Sequence, residues 1–384
     1  GSERNFIAGN DGDGITISIS PDNDIRENVI GLSPIGLRLA NLGNGITVSG
    51  AASTDNTIQN GTISGNDNAG ITIVAGATRT TVRGNRIGPD LFGGFTGVSN
   101  VSHGILIAGA VDTLIENNVV GDNNVSGITV TAGAVNTNIR QNTITLNTFD
   151  GIFVAAGNTA TTIRSNAIFD NVELGIDWEP DGVTLNDPND TTDPPNFPIL
   201  TGANTGATGT TVFGTLETRA NQNFTVEFFV NDTCNLPTVY PEGQTPLAGL
   251  LTVSTDAAGL ASFSASLPPV TAGQWITATS TDAQGDTGEF SACIQVQPQP
   301  PVAAFTANPT TGEAPLVVAF TNQSTGLITG YFWEFGGGAT STFENPTNQY
   351  LNPGTYTVRL TVSGPGGTDT AEGIIFVTAP PATA

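Results

Sequence analysis

At 384 residues, with 48 Gly, 38% hydrophobic and only 11% charged, the chain is too long for one compact domain and too glycine-rich and charge-poor for a helical bundle or coiled coil. Its formal net charge of −24 sets 34 acids against ten cations, all of them Arg, and this balance excludes phosphate backbones and anionic membrane surfaces as partners. No apolar run reaches the roughly 18 residues of a transmembrane helix.

The N-terminal half repeats itself. A Gly-aliphatic-x-aliphatic phrase starts at Gly14, Gly45, Gly70, Gly104, Gly127, Gly151 and Gly175. Between most copies lies aliphatic-x-x-Asn-x-aliphatic, with its Asn at Asn28, Asn85, Asn118, Asn142 and Asn166 and with Gly61 in that place in one copy. Three short alternating strands per repeat of about 24 residues are the pattern of a stacked solenoid, each coil burying its inward residues on the next. Alternation turns Ile15, Ile17, Ile46, Val48, Ile71, Ile73, Ile105, Ile107, Ile128, Val130, Ile152 and Val154 inward. The repeated Asn falls at a bend, where it tolerates a left-handed backbone and stacks as an amide ladder. On these residues, roughly 3 to 180, the sequence resembles the parallel β-helix repeat family, which includes pectate lyases and many bacterial surface proteins. Two inserts, 31–44 and 88–103, start 57 residues apart at one corner, where solenoids carry binding loops or packing decoration.

The repeat fails after Trp178. Residues 181–196 read as an Asp/Pro-rich cap or linker, 197–297 as an Ig-like β-sandwich with strands every 8–12 positions, and 298–301 as a Pro-rich linker. Residues 302–379 resemble a PKD domain: Tyr331-Phe332-Trp333-Glu334-Phe335-Gly336-Gly337-Gly338 stands at its W-D-F-G-D-G turn, and Asn352-Pro353-Gly354-Thr355-Tyr356-Thr357-Val358 matches a later strand. Gly337 replaces an acid of that turn, which argues against calcium there. A Pro/Ala tail, 380–384, follows. The expected fold is therefore all-β: a right-handed parallel β-helix over 1–180, then two Ig-like sandwiches, the second PKD-like.

Cys234 and Cys293 flank most of the first sandwich and read as a structural disulfide, which implies an oxidising compartment and an extracellular or cell-surface protein. Asp177, Asp181, Asn186, Asp187, Asp190 and Asp193 form the one dense oxygen-ligand cluster and suit Ca2+, the sole expected cofactor. Arg26, Arg83, Arg140 and Arg164 each fall two residues before a ladder Asn, with Glu116 between the middle pair; the stripe is either a solvated face or a docking strip for an acidic partner.

Polysaccharide-cleaving β-helices need converging carboxylates, with Arg, Lys or His, on the outer face of the first strand. Here that face runs Thr16, Thr47, Thr72, Leu106, Thr129, Phe153, Asp177, and the residue before each Gly runs Asp13, Asn44, Ala69, His103, Ser126, Asp150, Leu174. Until the last turn, where Asp150 and Asp177 fall on successive coils, neither column pairs carboxylates on adjacent coils, so the chain reads as non-enzymatic: a structural or adhesive subunit of a surface filament, sheath or layer. A glycan-binding or polysaccharide-degrading protein is the alternative, and the Thr column leaves ice binding as a remote one. Because the repeat is already running at residue 5, Asn5, Phe6 and Ile7 form an open edge expected to meet another copy. Expected partners are copies of the chain and surface glycans, with no nucleic acid and no transmembrane segment.

Overall fold

The computed structural model describes residues 4–179, 182–187, 190, 194–206, 208–234 and 241–381, and among these every regular element is a strand. Packing divides the chain into two units: Gly1–Gly202 with Val212–Leu267 and Gln274–Gln295, and Ala203–Thr211 with Pro268–Gly273 and Val296–Ala384.

In the first unit, three parallel sheets wind into a β-helix. The first sheet stacks Ile15–Ser18, Ile46–Ser49, Ile71–Val74, Ile105–Ala108, Ile128–Thr131, Ile152–Val154 and Ile176–Trp178. The second stacks Asp24–Arg26, Thr57–Gln59, Thr81–Arg83, Val111–Glu116, Val135–Arg140 and Thr159–Arg164. The third begins at Phe6–Ile7 and ends at Ala167–Phe169. Parallel register puts Ile46, Ile71, Ile105, Ile128, Ile152 and Ile176 in one column, all buried, with Ile15 only partly covered at the first coil. Each buried isoleucine contributes about 1.5–3 kcal/mol relative to exposure, so repetition of one modest contact builds the core.

The bends are sharper than the sequence reading placed them. Positive φ belongs to the residue before the ladder position, at Glu27, Asn60, Gly84, Asn117, Gln141 and Ser165, and not to the ladder Asn itself. One left-handed residue redirects the chain, and the following Asn then points inward to bond its neighbours. Asn118 shows the full pattern: its Oδ1 accepts from the Asn85 N–H at 2.9 Å, and its Nδ2 donates to Asn142 Oδ1 at 3.0 Å and to the Val82 carbonyl at 2.9 Å. Where Gly61 replaces the Asn, its N–H alone donates to Asn85 Oδ1 at 2.9 Å.

The inserts pack at their roots and protrude at their tips. Leu32 is fully buried, and Leu39 N–H donates to the Gly31 carbonyl. Gly36, at φ +80°, lies beside Leu91 of the second insert, while Ile35, Leu37 and Phe92 stay exposed.

The sandwich after the β-helix has one sheet ordered Leu260–Leu267, Thr210–Glu217, Ile199–Thr205, Gln297–Pro298. The other is built on Asn223–Asn231 paired antiparallel with Trp275–Thr281. Cys234 and Cys293 are disulfide-bonded with Cα atoms 6.2 Å apart.

In the second unit, a three-stranded sheet faces a five-stranded one around Trp333, Phe320, Phe335, Val358 and Leu360. The motif aromatics are its centre. Trp333 is fully buried and donates its Nε1–H to the Phe343 carbonyl at 2.9 Å.

Candidate functional site

The outer face of the first sheet keeps the expected order, with Thr16, Thr47, Thr72, Leu106, Thr129, Phe153 and Asp177 in register. It is not a continuous open threonine lattice: Thr72 and Thr129 are buried, and the Thr129 hydroxyl lies 2.9 Å from His103 Nδ1. Burial pulls the His103 pKa down, so the ring is neutral at pH 7. Asp150 is pushed up to about 6, first by burial and then by the charge of Glu173. Its two oxygens accept from the Leu174 N–H and the Ser126 hydroxyl. Asp177 is buried and accepts from the Gly182 N–H. His103 and Asp150 sit two coils apart, about 10 Å at the strand spacing, too far to act on one bond.

The arginine stripe is a row, Arg26, Gln59, Arg83, Glu116, Arg140, Arg164, and it is satisfied internally. Arg26 pairs with Asp24, Arg83 donates to Gln59 Oε1 at 3.0 Å and 3.1 Å, and Arg140 donates to Glu116 Oε2 at 2.7 Å and 3.0 Å. Arg164 reaches Thr281 of the sandwich. Of the two readings, these contacts favour the self-neutralised, solvated face.

A second amide ladder escaped the sequence reading. Asn10, Asn41, Asn66, Asn100, Asn123, Asn147 and Asn171 bond coil to coil, for example Asn123 Nδ2 to Asn147 Oδ1 at 3.0 Å. Each lies four residues before a repeat Gly, and that Asn-x-x-x-Gly spacing, seven times over, was the available signal. Asn100 is thereby a fully buried rung, unsuited to the glycosylation its sequon would permit.

The second ladder ends on a carboxylate of the sandwich, and another sandwich carboxylate bonds beside the last rung of the first. Glu242 Oε1 accepts from Asn171 N and Nδ2 at 3.1 Å and 2.9 Å, taking the place of the next rung's amide oxygen. Glu227 accepts from the N–H and hydroxyl of Ser165, beside the last rung of the first ladder. Glu289 accepts from the Trp178 N–H at 3.2 Å, and Asp286 from the Thr161 N–H at 2.8 Å. Gly243 and Ile168 exchange backbone hydrogen bonds at 2.8 Å and 2.9 Å. A Cβ at Gly243 would stand 2.5 Å and 2.7 Å from the rings of Phe290 and Phe229, which lid the β-helix core, so only glycine fits there. All three sheets of the last coil are thus covered by residues 60 to 125 positions downstream.

Among the described residues the proposed calcium ligands do not converge. Asp190 accepts from the Asn196 N–H and the Thr218 hydroxyl and faces Arg219; Asn186 makes both its bonds to the Phe197 backbone; the Asp187 N–H donates to Asn196. Asp181 and Asp193 lie outside the described residues. Among the described residues no group of three or more His, Cys, Asp or Glu side chains is placed to hold a metal. The reason is local: Asp177 accepts from the Gly182 N–H, while Asp190 accepts from the Asn196 N–H and faces Arg219, so each is drawn to its own partner rather than to a shared ion.

Beside this closure lies a cleft of about 400 Å³ lined by Ala156, Gly157, Asn158, Thr159, Trp178, Glu179, Pro194, Arg219, Gln222, Gln284 and Asp286.

Comparison with known proteins gives three matches along the chain: residues 2–89 to the periplasmic copper-binding protein (NosD) model, 94–186 to the right handed beta helix region, and 295–379 to the PKD domain. Among curated proteins, the Bacillus cereus collagenase ColA is 46% identical over 52 residues, 14% of this chain and 5% of that protein. The chain therefore spans about one twentieth of the curated relative it matches. Among solved structures, the PKD1 domain of the Vibrio cholerae metalloprotease PrtV is 38% identical, covering 20% of this chain and 95% of that one, with a TM-score of 0.18. A mutant of the periplasmic alginate epimerase AlgG is 18% identical, covering 48% and 40%, with a TM-score of 0.37. Copper does not fit this chain, which has one His, no Met and both Cys in a disulfide, and so lacks the imidazole and soft sulfur ligands that hold it. No helix among the described residues is long and apolar enough to cross a membrane. The chain joins a right-handed parallel β-helix, through an Ig-like sandwich, to a PKD domain, a combination that marks a protein of the periplasm or extracellular space.

Proposed function

We propose that the chain is a non-enzymatic structural or adhesive protein, a rigid β-helix that carries sandwich modules outside the cytoplasm. The observation that carries this reading is the first-sheet face. Of its acids, Asp150 and Asp177 are buried and bonded to backbone N–H groups, Asp13 lies at the opposite end of the β-helix and accepts from the Asn44 N–H, and the histidine is neutral and two coils from Asp150. Acid–base chemistry on a glycosidic or uronate carbon needs two such groups at one atom. Incubation with alginate, pectin and related polysaccharides is expected to give no new reducing ends, no unsaturated products and no epimerised residues. Turnover lost in Asp150→Asn would reverse the reading.

A filament-forming role is the finer form of this proposal. Ile7, Ile15 and Ile25 of the first coil are only partly buried, and Phe6 is 38% exposed. A second copy stacked on Asn5, Phe6 and Ile7 would continue the ladder and cover these side chains. Sedimentation should then show concentration-dependent assembly that Ile7→Asp abolishes. A monomer at high concentration removes the filament.

A further inference from the structure

The cleft beside the closed end is unused by any role so far described. It lies wholly within the first unit, and its walls come from the turn 156–159 of the sixth coil, from Trp178 and Glu179, and from the sandwich. At about 400 Å³ it is within the range of small-ligand sites. It is also rigid: Asn158 holds its turn by accepting the Ala134 N–H and donating to the Val130 carbonyl, and the Trp178 indole donates to the Thr287 carbonyl.

Its chemistry is selective. Arg219 looks like an anion clamp, yet its guanidinium is shared between Asp282 and Asp190. Glu179 and Asp286 line the cleft, Glu179 accepting from the Ala156 N–H and Asp286 from the N–H groups of Thr161 and Ala160. Uronates, phosphates and sulfates therefore meet repulsion without compensation. The remaining carboxylate oxygens are acceptors. Gln222 also lines the cleft, and its Oε1, which has no hydrogen-bond partner among the described residues and no exposed surface, becomes an acceptor for a ligand once the side chain turns toward the cleft. Gln284 is exposed at the rim. Ala156, Gly157, Pro194 and Trp178 supply an apolar floor and wall beside these groups. Hydroxyls that donate to several acceptors while carbon–hydrogen faces rest on an apolar surface describe a sugar. A bare metal ion is disfavoured, since no metal-holding group occurs among the described residues.

We infer that this cleft binds the neutral pyranose units of a glycan, with Gln222, Gln284, Glu179 and Asp286 as the hydrogen-bonding groups. This rests on the adhesive reading and gives it a ligand class. Occupancy would also fasten the sandwich to the last coil, because both contribute walls.

The test is a nuclear magnetic resonance titration of the full chain with maltotriose, cellotriose, xylotriose, mannotriose and galactotriose, and with trigalacturonate and spermidine as charged counterparts. At least one neutral trisaccharide should shift amide signals of residues 156–159 and 284–286. Gln222→Leu with Gln284→Ala should weaken it at least tenfold, and the charged probes should bind at least tenfold more weakly. Thr159→Trp, which fills the mouth from an exposed position, should block binding without unfolding the chain. Silence from all five neutral probes, shifts confined to other residues, equal or tighter binding of either charged probe, or binding indifferent to these variants overturns the proposal. Binding is read without turnover, so a silent cleft leaves the absence of catalysis to be decided by the polysaccharide incubation alone.

Discussion

Inside the β-helix, Asn147 hands its backbone and side-chain N–H groups to the amide oxygen of Asn171; at the last coil, Asn171 hands the same two donors to Glu242. The geometry is alike and the chemistry is not. An amide rung is neutral at every pH, whereas a buried carboxylate carries a desolvation cost whenever it is ionised. The shaft is therefore built from groups indifferent to pH, and its closure from groups that respond to it.

The largest effect should come from breaking the shaft. Asn118→Ala removes an oxygen accepting from Asn85 and an amide donating to two coils, and should cost about 3–4 kcal/mol in a denaturant melt. Glu242→Ala strands the two donors of Asn171 and the Asp170 N–H but also removes a carboxylate that is costly to bury, and should cost about 2 kcal/mol. A reversed order would mean that the closure, rather than the ladders, limits stability. The smallest effect concerns hydroxyls that neither region needs. Thr113, Thr137 and Thr161 align inside the second sheet, fully buried, with hydroxyls that have no partner among the described residues. Thr137→Val should change stability by less than about 1 kcal/mol, with the sign toward stabilisation, because it deletes an unsatisfied polar atom and keeps the shape. A loss above about 2 kcal/mol would show that the hydroxyl is bonded.

The same contrast explains what could be read from the sequence. Repetition exposes local rules: the inward isoleucines, the first ladder and the row through Arg83, Glu116 and Arg140 each recur at a fixed offset. The Asn-x-x-x-Gly ladder recurs as faithfully but was masked, since the inserts push Asn41 and Asn100 away from the phrase that marks the other rungs. The closure happens once, between residues up to 125 positions apart, and leaves only a faint trace, such as the charged Glu227 inside the apolar run Val226 to Val230. Acids at 177–190 were legible as a cluster, but spacing shows proximity along the chain and not which N–H groups the carboxylates bond, such as Gly182 for Asp177 and Asn196 for Asp190.

The central claim, a β-helix finished by its own sandwich, is tested most directly by melting the protein and its Glu242→Gln, Glu289→Gln variant between pH 5 and pH 8. Burial holds Glu242 and Glu289 at about 7 in the fold, against 4.5 for an unperturbed glutamate. A raised carboxyl pKa means that the fold binds the proton more tightly, so the stabilisation is full below about 4.5 and is lost as pH climbs through about 7. Exposed acids held low, such as Asp55 and Asp256, act below this window. The native first unit should melt in one transition whose midpoint falls by several degrees from pH 5 to pH 8, and the double variant, which keeps both acceptor oxygens without the charge, should flatten that slope, leaving the share carried by Asp150, held at about 6, and by the raised Glu227, Asp190 and Asp286. Separate transitions for β-helix and sandwich, or a slope that the variant leaves untouched, would contradict the account.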